Sequence, residues 1–160
     1  MSVIPEAAYE AVEKKLRQRD KLIRKAEEAV AKARARATDI SAPSGGGIGP
    51  KGGLPGSRVE RGAMNVIRAE KRLENARKWI AVFQKMDEIF PVEDSNEGFV
   101  ASMIYGNGMS QADLARFTGC SRQTIRVRQD RYVIRCAFLA AQAGLIREEV
   151  ERYGDADPKD

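Results

Sequence analysis

Seven glycines and three prolines fall within residues 41–57 (SAPSGGGIGPKGGLPGS), and no regular element runs through such a stretch. Glycine there costs a helix its backbone entropy, and proline removes a backbone donor. The stretch therefore separates two long segments and reads as a flexible linker. A phosphate-binding loop is the other reading of glycines around a lysine. It needs Gly-Lys-Ser/Thr after a strand, whereas Lys51 stands between Pro50 and Gly52 after a helical pattern.

Both flanking segments carry the spacing of helices that pack along one stripe. Before the linker, Tyr9, Leu16, Ile23, Val30 and Ala37 recur at seven-residue intervals. Val12, Arg19, Ala26 and Ala33 form the companion series, with Arg19 its polar break. Residues 6–38 thus predict one long helix within an N-terminal heptad segment, residues 1–40, and Pro5 sits where a first turn tolerates it. After the linker, residues 58–90 predict a second long helix. Val59, Val66, Leu73 and Ile80 form one series; Gly62, Ala69, Ala76, Phe83 and Phe90 form the other. Trp79 and Met86 widen the stripe, and Pro91 ends it. The pair predicts an antiparallel hairpin, or arms that dimerise, with Tyr9, Leu16, Ile23, Val66, Leu73, Ile80 and Phe83 along the seam.

Composition narrows the function. The chain has no histidine, which removes Ser-His and Cys-His nucleophile pairs and any zinc site that uses histidine. No acid–base cluster stands out, so neither an enzyme nor a metal or cofactor is expected. Cys120 and Cys136 read as small buried hydrophobes. No apolar run reaches the ~18 residues of a membrane span, and the N-terminus has no secretion pattern, so a cytoplasmic protein is expected. The charge is uneven. Residues 98–142 carry six arginines against two acids, while residues 143–160 carry three bases against six acids. Arginine without lysine suits phosphate and base contacts, because the guanidinium is a planar fork.

Residues 98–146 hold the most specific spacing. An acidic connector (91–97) leads into a short apolar helix (99–105), which Gly106-Asn107-Gly108 breaks. Ser110 then caps a helix over Gln111–Thr118, with Asp113 in its first turn. Gly119 ends it, and Ser121 caps the next helix from Arg122. Counted from Gln111, the fifth residue is Ala115, the ninth Gly119 and the fifteenth Ile125. A helix-turn-helix needs a small residue where its helices cross, a left-handed residue in the turn and an apolar residue packing back. Leu114, Ala115, Gly119, Ile125, Tyr132 and Cys136 are its expected core. Gln123, Arg126, Val127 and Asp130 face outward and are the candidates for reading base edges. Gln reads adenine, Arg guanine, and the Val side chain a thymine methyl, with Asp130 orienting Arg126 one turn earlier. Ser110, Gln111, Ser121, Arg122, Arg128 and Arg131 are the candidates for phosphate contacts.

The segments YGNGMSQADLA (residues 105–115) and SRQTI (residues 121–125) resemble those of small phage-encoded regulators of Gram-positive bacteria, the ArpU and RinA-like late-gene activators, whose C-terminal helix-turn-helix is similar to region four of sigma factors. The resemblance spans roughly residues 12–140. Arg128 departs from it, standing where such proteins usually carry an apolar residue, and Gln129 faces inward on a helical wheel. The resemblance implies binding to double-stranded DNA at a promoter and recruitment of host RNA polymerase.

The sequence thus predicts an all-α chain: a long helical hairpin, a C-terminal helix-turn-helix domain, and an acidic tail at 147–160. The expected function is sequence-specific transcription regulation by a homo-oligomer, a dimer first, on DNA in a bacterial host cell. The small subunit of a phage DNA-packaging terminase is the alternative, although those usually carry the helix-turn-helix first. An adaptor that uses the same helices to contact protein is the third reading.

Overall fold

A computed structural model describes residues 4–39 and 56–146, and every described element is helical. The fold is all-α. Residues 41–55 of the expected linker at 41–57, and the acidic tail at 147–160, lie outside the described residues; residues 56 and 57 open a helix instead of ending the linker.

In chain order, α1 spans Glu6–Arg17 and a 3₁₀ turn spans Arg19–Lys21. Next come α2 (Leu22–Asp39) and α3 (Gly56–Ile89). α4 (Asn96–Ala101) continues as a π turn through Ser102–Gly106. α5 (Gln111–Thr118) and α6 (Arg122–Gln142) complete the set. By packing, the chain divides into two compact units: Met1–Arg19 with Lys78–Asp160, and Asp20–Arg77.

The single helix expected over 6–38 is therefore two. Gln18 ends α1, its N–H turned to the carbonyls of Lys15 and Leu16. The break sits at the polar position of the heptad pattern. Arg19 has no place in an apolar seam; its guanidinium instead forks onto both carboxylate oxygens of Asp87, at 3.1 and 2.6 Å, and lies 5.5 Å from the Phe83 ring centroid. The break also resets the inward face. Ala8, Val12 and Leu16 are buried on α1, and Leu22, Ala26 and Val30 on α2. Leu22 takes the place expected for Ile23, which is only half-buried.

Within the unit Asp20–Arg77, Arg34 on α2 pairs with Glu70 on α3 at 2.8 Å. The buried positions on this part of α3 are the small ones: Gly62, Ala69 and Ala76. Val66 and Leu73 are half-buried, and Val59 is exposed. The companion series, not the large-residue series, marks the inward face.

The other unit is built around α6. Ile125, Gln129, Tyr132, Val133, Cys136, Ala137, Ala140 and Ala141 are buried along it. α1, α4 and α5 all pack on α6. The C-terminal part of α3 contributes buried Trp79, Val82, Phe83 and Met86, with Ile80 half-buried beside them. Trp79 stacks tilted against Phe83, and Phe90 against Tyr132, both at 5.8 Å between centroids. Ser95 caps α4 by accepting from the Gly98 N–H at 3.1 Å. A side chain at Gly98 would collide with the Phe90 carbonyl, so only glycine lets α4 approach the chain leaving α3. Tyr9, Leu16 and Phe83, expected on a hairpin or dimer seam, thus belong to this unit.

Candidate nucleic-acid interface

α5 and α6 are joined by the turn Gly119–Ser121. Ser110 caps α5, its Oγ accepting from the Asp113 N–H at 3.1 Å and donating to the Asp113 carboxylate at 2.8 Å. Gly119 sits at φ 71°, ψ 9°, the left-handed region that a Cβ disfavours. Ser121 caps α6 by accepting from the Thr124 N–H at 3.1 Å. Beneath the turn, Leu114, Ala115 and Ile125 pack with Val100 and Ile104 of the preceding helix. Hence both helices are held by short-range caps and by one shared apolar cluster.

The first three turns of α6 have two distinct sides. Ile125 and Gln129 are buried, while Arg122, Gln123, Arg126 and Val127 are exposed. Arg122 and Arg126 have no carboxylate partner among the described residues. Three nearby acids are already engaged: Asp113 with Arg116 at 2.9 Å, Glu97 with Arg131 at 3.5 Å, and Asp130 with a tyrosine described below. A hydrogen bond from a neutral hydroxyl does not cancel a carboxylate's charge. The exposed side therefore carries the unpaired guanidinium groups of Arg122 and Arg126 with the Asp130 carboxylate beside them, at the N-terminal end of a long helix.

The other expected contact residues are distributed differently. Ser110 and Ser121 are exposed at their caps. Arg128 is half-buried and folds back over the turn, its guanidinium 3.8 Å from the Cys120 sulfur. Arg131 is exposed despite its pair with Glu97. Gln111 is turned inward: its amide donates to Gln129 at 2.6 Å, so the side chain serves the helix junction and not the surface. Asp130 does not pair with Arg126. It accepts at 2.7 Å from the hydroxyl of Tyr9, on α1.

Gln129, inward on the helical wheel, is the centre of a buried polar node. Its amide donates to the Tyr105 hydroxyl at 2.8 Å and to Glu13 at 3.2 Å. Tyr105 in turn donates to Glu13 at 2.7 Å, and Arg17 lies over the Tyr105 ring, 5.3 Å from its centroid. Burial, then the hydrogen bond to Glu13, raises the Tyr105 hydroxyl well above its ordinary range, so it keeps its proton and remains a donor. No buried side-chain nitrogen or oxygen among the described residues lacks a partner. The node ties α1, the π turn, α5 and α6 together. Sequence reading missed α1 as part of this site; the inward position of Gln129 was the available signal, because a buried amide demands partners.

A groove of about 790 Å³ runs along this face, lined on one side by Gln123, Arg126, Val127 and Asp130, and on the other by Glu6 and Tyr9. Among the described residues, no group of three or more Cys, Asp or Glu side chains is placed to hold a metal ion. Nor is any helix there long and apolar enough to cross a membrane. Comparison with protein-family models found no match, and comparisons with curated proteins and with solved structures found none either.

Proposed function

We propose that α5 and α6 form a helix-turn-helix that reads double-stranded DNA, and that the protein is a sequence-specific transcription regulator. The observation that carries this reading is the two-sided start of α6. Gln123, Arg126 and Val127 stand exposed on a helix whose opposite side is anchored by fully buried Ile125. These three residue types match base edges in a major groove: an amide for adenine, a guanidinium for guanine, and an apolar contact for the thymine methyl. Arg122, Ser121 and the first N–H groups of α6 suit phosphates, which orient the helix without specifying sequence. The resemblance to ArpU and RinA-like activators extends the proposal to phage late promoters, with host RNA polymerase as the protein partner. Pairing of two copies would lengthen the site beyond the few base pairs that one such helix reads.

Selection of random duplex DNA on the purified protein tests the reading. An enriched motif is the expected result, with two spaced half-sites if the protein binds as a dimer. No enrichment, with binding that vanishes at moderate salt, would refute sequence reading. On the selected site, Arg126→Ala is expected to lower affinity by ~1–3 kcal/mol, the scale of one good base contact.

A further inference from the structure

Tyr9 and Asp130 lie 121 residues apart in sequence, yet their side chains meet at 2.7 Å. The contact is notable for what it prevents. An Asp and an Arg one helical turn apart are neighbours on the helix surface and ordinarily attract. Asp130 and Arg126 have that spacing, and both line the groove, yet they form no ion pair. Tyr9 holds one carboxylate oxygen, Oδ1. The other oxygen has no protein partner among the described residues. Burial, followed by the hydrogen bond to Asp130, raises the Tyr9 hydroxyl above its ordinary range, so it keeps its proton and remains a donor.

Resting on the DNA-reading proposal above, we propose that Tyr9 is a positioning residue. It fixes Asp130 so that its free carboxylate oxygen accepts the exocyclic amino group of a cytosine, while Arg126 stays free for the neighbouring guanine. A lone carboxylate facing DNA repels phosphates and is tolerable only where a donor meets it. In the major groove the cytosine N4 amino group is such a donor, and an aspartate is a suitable acceptor. Without the tyrosine hydroxyl, Asp130 swings to Arg126. Both readers are then lost to an intrahelical pair. The first helix would thus set base preference without touching DNA.

The test compares position-by-position base preferences of the full chain, Tyr9→Phe and Asp130→Ala, each selected on random duplex DNA. Circular dichroism checks that the variants stay folded. The expected result is a parent motif in which one cytosine preference falls by about tenfold or more in Asp130→Ala, the scale of one base contact. Tyr9→Phe should weaken the same position and the neighbouring guanine read by Arg126, and add nothing further in the Asp130→Ala background. The salt dependence of binding should not change, since no phosphate contact is altered. If Tyr9→Phe lowers affinity equally for all sequences, or leaves the motif intact, the inference fails while DNA reading stands. The inference also fails alone if Asp130→Ala changes no position while Arg126→Ala does. If the parent protein enriches no motif, both proposals fall.

Discussion

Replacing Gln129 by alanine tests whether hydrogen bonds, and not shape alone, hold α1 onto α6. The side chain is 5% exposed and makes three hydrogen bonds: one accepted from Gln111, and two donated, to Tyr105 and Glu13. A net value of ~0.5–1.5 kcal/mol per bond gives a loss of roughly 1.5–4.5 kcal/mol. Two features reduce it. Gln111 is half-buried and can turn its amide to water, and Tyr105 keeps its bond to Glu13. The cavity left by the side chain acts the other way. The expected destabilisation is therefore about 2–4 kcal/mol. Urea denaturation followed by tryptophan fluorescence is the suitable assay, because the single tryptophan, Trp79, is buried in the unit that contains the node. A cycle with Tyr105→Phe should return a coupling of at least ~0.5 kcal/mol, as expected for residues sharing one network. A loss under ~1 kcal/mol with no coupling would refute the argument, and the docking of α1 would then rest on Ala8, Val12 and Leu16.

Further expectations concern the turn, the thiols and the arginines. Gly119→Ala forces a Cβ into the left-handed region and should cost ~1–2 kcal/mol in the same denaturation assay; an unchanged midpoint would show that the turn relaxes. Burial pushes the Cys136 thiol up to about 12, while Cys120 is half-buried, so an alkylating reagent near neutral pH should label Cys120 alone and reach Cys136 only in denaturant. Because the folded value of Cys136 lies above the unfolded one, its contribution to stability is complete below about pH 8.5 and is lost as pH rises toward 12. Cys136→Ala should accordingly flatten the decline in stability measured across that window. If the exposed arginines at the start of α6 contact phosphates, Arg122→Ala should weaken binding about equally on all duplexes and reduce the salt slope by ~1; an unchanged slope would remove Arg122 from the backbone contacts.

The helix boundaries around the turn are legible in sequence because their causes are local. Ser110, Gly119 and Ser121 act within one helical turn of themselves, and the structure places caps and the left-handed residue at those positions. The burial of Leu114, Ala115 and Ile125 was equally readable, since their spacing alone puts them on facing sides of two short helices. The heptad series were less informative. An apolar stripe says that a helix packs, not what it packs against. It led to one uninterrupted helix over 6–38, with Tyr9 on a hairpin or dimer seam. The structure instead breaks the helix at residues 18–21 and sets Tyr9 beside Asp130.

The sequence by itself determined an all-α chain, the turn between α5 and α6, and the exposure of Gln123, Arg126 and Val127, while Asp130, expected to face outward with them, is half-buried. Capping side chains, a glycine's left-handed freedom and helical periodicity all operate over a few residues. Only the tertiary structure decided that α1 belongs to the same unit as α6, that Gln129 is satisfied by Tyr105 and Glu13, and that Asp130 accepts from Tyr9. Those contacts join residues 24 to 121 positions apart. No local propensity encodes such partners. They follow from which buried polar groups find each other once the apolar faces have closed, and each must find one or incur the cost of desolvation.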